Sequence, residues 1–245
     1  VTELKPKSGF YDYDSKYTDG LTEHVCPARI PDAIADACKA LALEAHRLLG
    51  CKGASRSDFR WDDQRGVDGL FLLEVNTQPG MTPLSLVPEQ ARHAGMSYPQ
   101  LVQWIVDEAA DRLNAPIAVA DVLLDRAQVF VAEHGTLPRW VAEAGGTPIE
   151  WAFCRPFVAD RRPHLVPDLA ADPLWRDNPL VTREGVRAYI GVPLISHRGQ
   201  VIGGLCAIDR RPRDFDPDAI TVLQRLAADM MEGIEAHAAD LNEAG

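Results

Sequence analysis

No apolar run in the 245-residue chain approaches the ~18–20 residues that a membrane-spanning helix needs. The opening stretch, "VTELKPKSGF", has no apolar segment after its charges and does not read as a secretion signal. The five cysteines (Cys26, Cys38, Cys51, Cys154 and Cys206) are odd in number and include no CxxC pair, and no two of the seven histidines form an HxxxH pair. A disulfide framework and a structural zinc site are therefore not expected, and a reducing, cytoplasmic setting is. Positive charge is also scarce. A net charge of −11 argues against nucleic acid or an anionic membrane surface as partner, while leaving room for a local basic site that takes a phosphate. Lysine is missing after Lys52, where every basic residue is arginine, a shift that fits two segments of different origin. No internal repeat and no low-complexity linker is found.

What is present is globular in composition, 46% hydrophobic and 25% charged, and long enough for one large domain or two ordinary ones. "GFYDYDSKYTDG" reads as a loop after a short strand. Residues 32–49 read as a helix, with Asp32 as its cap and Gly50 as its end. "SRSDFRW" (55–61) alternates as a strand, "DDQRGVDG" is a turn, and residues 70–76 return as the second strand of a hairpin. Residues 83–94 and 98–112 read as helices separated by Gly95. Beyond Leu113 the pattern becomes strand-rich: "IAVADVLL" and "QVFVAEHG" form one hairpin, "YIGVPLIS" and "VIGGLCAID" another. A looser region rich in Pro, Asp and Trp lies between them. A long amphipathic helix closes the chain, with Asp216 before Pro217 as its N-cap and first-turn pair.

The hairpin carries chemistry. Residues i and i+2 of a strand share a face, so Glu74 and Asn76 project together, and Asp58 on the preceding strand adds a third hard oxygen. Such a set, with room for phosphate oxygens, suits Mg²⁺. From spacing alone, Glu74 and Asn76 read equally well as the end of a strand entering a turn. The wider context is more specific. "FYDYDSKY", "GCKGASRSDF" and "LLEVNTQPGMTPLSLVPEQARHAGMSYPQLV", in this order and spacing, closely resemble the C-terminal part of D-alanine–D-alanine ligases, members of the ATP-grasp family, over residues 1 to about 111.

That resemblance implies roles residue by residue. Asp58, Glu74 and Asn76 resemble ligands of two Mg²⁺ ions that bridge the phosphates of ATP. Lys16 resembles a phosphate-reaching loop lysine, though a lone lysine reads otherwise as a solvated charge. Tyr17 resembles the loop tyrosine associated with D-alanine as second substrate. Arg56 resembles the arginine facing the tetrahedral intermediate, helped by the backbone N–H of Gly80, where the lack of a Cβ lets substrate approach. Ser85 and the N–H of Leu86 resemble the clamp on the second D-alanine's carboxylate, and a helix beginning there favours an anion. The implied reaction is ATP-dependent phosphorylation of one D-alanine carboxylate and attack by the amine of a second, for peptidoglycan synthesis. The resemblance covers only that family's last domain, so the chain by itself is expected to be inactive as a ligase.

Residues 112–245 resemble a GAF domain, through "AFCRPFV", "DLAADPLWRDNPLV" and "VRAYIGVPLISHRGQVIGGLCAIDRRPRDF". The implied fold class is α+β: a truncated ATP-grasp C-terminal domain (1–111) followed by a GAF-type antiparallel sheet with flanking helices (112–245). The second half would take a small ligand that the residues do not name. Cys154 and Cys206 lie in apolar runs and read as buried small hydrophobes. The stretch from Asp168 to Pro173 and Arg187 read either as pocket lining or as a solvated loop with a surface charge. An alternative function follows: a GAF-type sensory or regulatory protein with a vestigial ligase segment. The helix at 98–112 fits both the end of the first pattern and the start of the second, with no linker between. Either a fusion that shares the helix or a join of two genes gives this. Dimerisation through the helices at 98–112 and 217–241 is a further expectation.

Overall fold

The structure, a computed structural model, describes residues 1–6, 22–77, 79 and 86–243. The chain forms two compact units, Val1–Ser97 and Tyr98–Gly245. Among the described residues, no helix is long and apolar enough to cross a membrane.

In the first unit, β1 (Glu3–Pro6) and β2 (Thr22–Val25) form a two-stranded antiparallel sheet, followed by α1 (Asp32–Leu48). The expected cap is displaced by one residue. The carbonyl of Pro31 accepts the first helical bonds, from Ile34 and Ala35, so Pro31 occupies the cap position and Asp32 lies in the first turn, where its charge meets the positive end of the helix. Gly50 ends the helix as expected, at φ +63°, with its N–H on the Arg47 carbonyl and that of Cys51 on His46. Then come β3 (Arg56–Trp61) and β4 (Leu70–Asn76), paired as the expected hairpin, and α2 (Leu86–His93). The connection is more ordered than a plain turn. Two short 3₁₀ turns (Asp63–Gly69) break at Gly66, the Asp62 carboxylate caps the first through the N–H of Gln64, and the indole of Trp61 donates to the Gly66 carbonyl at 2.8 Å. The unit buries Ile34 and Cys38 of α1, while Leu41, Leu43 and Leu48 of α1, Leu49 just after it, and Phe71, Leu72 and Leu73 of β4 are exposed.

The second unit is built on a six-stranded antiparallel sheet. It opens with α3 (Tyr98–Leu113), β5 (Ile117–Leu123), β6 (Ala127–Gly135), α4 (Arg139–Ala144) and β7 (Gly146–Pro148). It continues with α5 (Phe157–Asp160), β8 (His164–Val166), α6 (Pro179–Thr182), β9 (Ala188–Ile195), β10 (Val201–Asp209) and α7 (Ala219–Glu243). The strand order is β7-β6-β5-β10-β9-β8. Alternation along β5 sends Ala118 and Ala120 to one face, against α3 and α7, and Ile117 and Val119 to the other, against Phe153, Phe157, Leu169 and Trp175. Both faces are covered, which is why "IAVADVLL" and "YIGVPLIS" read as near-continuous apolar runs. The expected loose region holds two sheet-edge strands, β7 and β8, of three residues each, too short to show a period. Asp216 serves as the expected cap: its carboxylate accepts from the N–H of Asp218 at 2.9 Å and its carbonyl from Ala219.

Helix α3 belongs to the second unit. Leu101, Val102, Ile105, Val106, Ala109, Ala110 and Leu113 are buried in the core it shares with α7 and the sheet. Leu223 of α7 is fully buried at the centre of that core. Its replacement by alanine should lower the stability of the second unit by about 3 kcal/mol through lost transfer energy and a residual cavity. Urea unfolding followed at tryptophan would show a reduced midpoint with an unchanged slope.

Candidate functional site

The hairpin places its polar residues by register. Arg56 pairs with Asn76 and Asp58 with Glu74, and residues opposite one another on antiparallel strands share a face. All four side chains therefore rise from one side of β3–β4. A bulge follows at once: Phe59 pairs with Leu72, leaving Leu73 as the extra residue and ending the alternation beside Glu74. The guanidinium of Arg56 donates to both oxygens of Asp58, at 2.7 and 3.0 Å, and stands 4.0 Å from Glu74. The sequence placed Arg56 and Asp58 on one strand face but did not foresee that they would hold each other.

Two carboxylates and a carboxamide on one face are a hard-oxygen donor set, and they fit Mg²⁺ by their chemistry. Arg56 takes both Asp58 oxygens in this arrangement, so an ion there shares Asp58 with, or displaces, the guanidinium. The side chain of Glu74 is the more open of the two carboxylates, 56% exposed against 23% for Asp58. Leu86 stands at the head of α2 and is half-buried. Lys16, Tyr17, Gly80 and Ser85 lie outside the described residues.

A second polar cluster lies inside the six-stranded unit. Asp121 of β5 is fully buried. One of its oxygens accepts from Gln128 Nε2 at 2.9 Å and the other faces the Cys154 thiol at 3.5 Å. Thr147 of β7 completes the chain by donating to Gln128 Oε1 at 2.9 Å. Burial pushes the Asp121 carboxyl up to about 7, only partly offset by the hydrogen bonds from Gln128, Cys154 and the Gly204 N–H. Burial likewise raises the thiols of Cys154 and Cys206, in keeping with their reading as inert core residues. The hydroxyl of Tyr189 is buried on the same face of the sheet with no hydrogen-bond partner among the described residues. It sits over Gly191, where a Cβ would come within 2.3 Å of it.

Sequence reasoning missed Asp121 and Tyr189. The signal was there for Asp121, which continues the Ile117, Val119 face of an otherwise apolar strand. Arg187 is committed to Asp168, with bonds of 2.8 and 2.7 Å that clasp the loop before α6 onto β9 and hold the Asp168 carboxyl below its ordinary range.

Two family models match the chain: "D-ala D-ala ligase C-terminus" over residues 1–107 and "GAF domain" over residues 95–235. A D-alanine–D-alanine ligase of Novosphingobium aromaticivorans is 75% identical over 109 residues, 44% of this chain and 35% of that protein. The ligase of Sphingopyxis alaskensis is 77% identical over the same length and shares. The chain thus spans about a third of the length of these curated relatives. Among solved structures, the GAF domain from a phosphoenolpyruvate-protein phosphotransferase of Coxiella burnetii matches with a TM-score of 0.52 at 18% identity, covering 62% of this chain and 90% of that one, a likeness of fold.

Asp121 should make the second unit sensitive to pH. The native state binds its proton more tightly than the unfolded chain does, because burial raises it from 3.8 to about 7. Stability from this residue is therefore greatest in acid and falls as pH rises from about 4 to about 7. Asp121→Asn keeps an acceptor for Gln128 and removes the titration. Thermal melts at about pH 5 and pH 8 should show the wild-type chain losing stability and the variant losing less.

Proposed function

The chain belongs to the GAF domain family through residues 95–235, and we propose that the unit preceding this domain carries the metal and phosphate half of a D-alanine–D-alanine ligase site. The one-face register of Arg56, Asp58, Glu74 and Asn76 carries this reading. Asp58, Glu74 and Asn76 would hold two Mg²⁺ ions, which when bound neutralise charge on the phosphates of ATP. Arg56, already fixed by Asp58, points its charge at the reacting centre, and the Gly80 N–H joins it there. Lys16 reaches the phosphates, Tyr17 faces the second D-alanine, and Ser85 with the Leu86 N–H takes that substrate's carboxylate. The reaction served is formation of D-alanyl-D-alanine for peptidoglycan in the cytoplasm.

Positioning does most of the work in phosphoryl transfer, and a segment that matches about a third of the ligases' length supplies only part of it. Taken alone, this chain should release no phosphate in a steady, D-alanine-dependent way; sustained release by the purified protein would overturn that part of the reading. Residual binding is a separate matter. Calorimetry should detect Mg·ATP, with affinity reduced roughly tenfold or more in Glu74→Gln through loss of a ligand charge. Absence of any binding by the wild-type chain would remove the metal-site reading.

A second reading has its own support. The half from Tyr98 onward is a small-ligand sensor or regulatory module to which the first unit is only attached. The partnerless hydroxyl of Tyr189 and the Asp121, Gln128 and Thr147 chain lie on one face of its sheet, where a ligand with matching donors and acceptors would find partners.

A further inference from the structure

Helix α3 is claimed twice. The ligase family model runs to residue 107 and takes in Tyr98, Leu101, Val102, Ile105 and Val106; the GAF model starts at residue 95 and takes in the whole helix. The match to the ligases covers 44% of this chain, and the ligase model ends before the six-stranded sheet begins at β5. An amphipathic helix needs a core for its stripe. The ligase pattern thus takes in most of the stripe and none of this sheet.

In this chain the stripe is spent on the second unit. Val106 and Ala109 are completely buried, and the rest of the stripe is at most 8% exposed. Polar contacts bind the helix to the same unit. Gln103 donates to the Glu133 carbonyl of β6 at 2.8 Å. His134 of β6 pairs with Asp107 at 2.9 Å. At the helix end, where carbonyls are left without helical partners, the Arg213 guanidinium donates to Leu113 and, at 2.8 Å, to Asn114. The exposed residues of the helix include Gln100 and Asp111, a polar side with no stripe to offer another core. The first unit, meanwhile, exposes Leu41, Leu43 and Leu48 of α1, Leu49 just after it, and Phe71, Leu72 and Leu73 of β4.

We propose that α3 is a shared element for which the two units compete, and that the GAF unit holds it and thereby keeps the ligase-like unit from closing its own core. One apolar face cannot fill two cores. The GAF core in effect sequesters the closing helix of its neighbour, and release of that helix is the step that would let the first unit consolidate. This does not depend on whether the hairpin binds Mg·ATP.

Amide hydrogen exchange on the full chain tests it in two directions. Leu205→Asp with Leu223→Asp, both fully buried in the core of the second unit and neither on α3, should unfold the GAF core and free the helix. Exchange in α1, β3 and β4 should then slow by roughly tenfold relative to wild type, with α3 still protected. Unchanged or faster exchange there, or an unprotected α3, would overturn the competition. Conversely, Ile34→Asp, which breaks the centre of the first unit, should leave α3 exchange at its wild-type rate. A faster-exchanging α3 in that variant would mean that the first unit holds the helix, and would sink the proposal.

Discussion

A helix has one apolar stripe, and the stripe of α3 can be buried only once. Here it packs against α7 and the inner face of a six-stranded sheet, completing a core whose strands are covered on both sides. Hydrophobic burial is non-directional, so the stripe by itself does not name the core that takes it. The second unit gains seven buried residues from it. Among its described residues the first unit buries the side chains of Ile34 and Cys38 and exposes leucines on α1 and β4. Among the described residues a well-packed half therefore stands against a thin one.

Electrostatics divides the same way. In the thin unit the polar residues are near the surface, and Arg56 bridges Asp58 and Glu74 where water can reach all three. In the packed unit a carboxyl is sealed among neutral groups. Asp121 faces Gln128, Cys154 and the Gly204 N–H, all of them neutral, and burial therefore favours its neutral form. The two clusters contain similar side chains and differ in what surrounds them.

Much of the local structure was legible in the sequence. The periods of residues 32–49, 98–112 and the closing helix located α1, α3 and α7, and alternation located the hairpin of β3 and β4. Asp216 was recognisable as a cap; the displacement of Asp32 by Pro31 was not, because either can precede a first turn. The three-residue strands β7 and β8 escaped because two alternations do not make a period. The ion pair of Arg56 with Asp58 escaped because i, i+2 spacing fixes a shared face and not a rotamer.

The sequence by itself determined the family resemblance of each half, the strand spacing that puts Glu74 and Asn76 on one face, and the two-fold fit of residues 98–112. These are matters of residue type and spacing, which are local. Only the tertiary structure decided which core takes α3, that Arg56 is held by Asp58, and that Asp121 and Tyr189 lie buried on one sheet face. Each of those depends on partners distant in the chain, such as Leu223 for α3 or Gln128 and Cys154 for Asp121, and spacing along the chain carries no record of them.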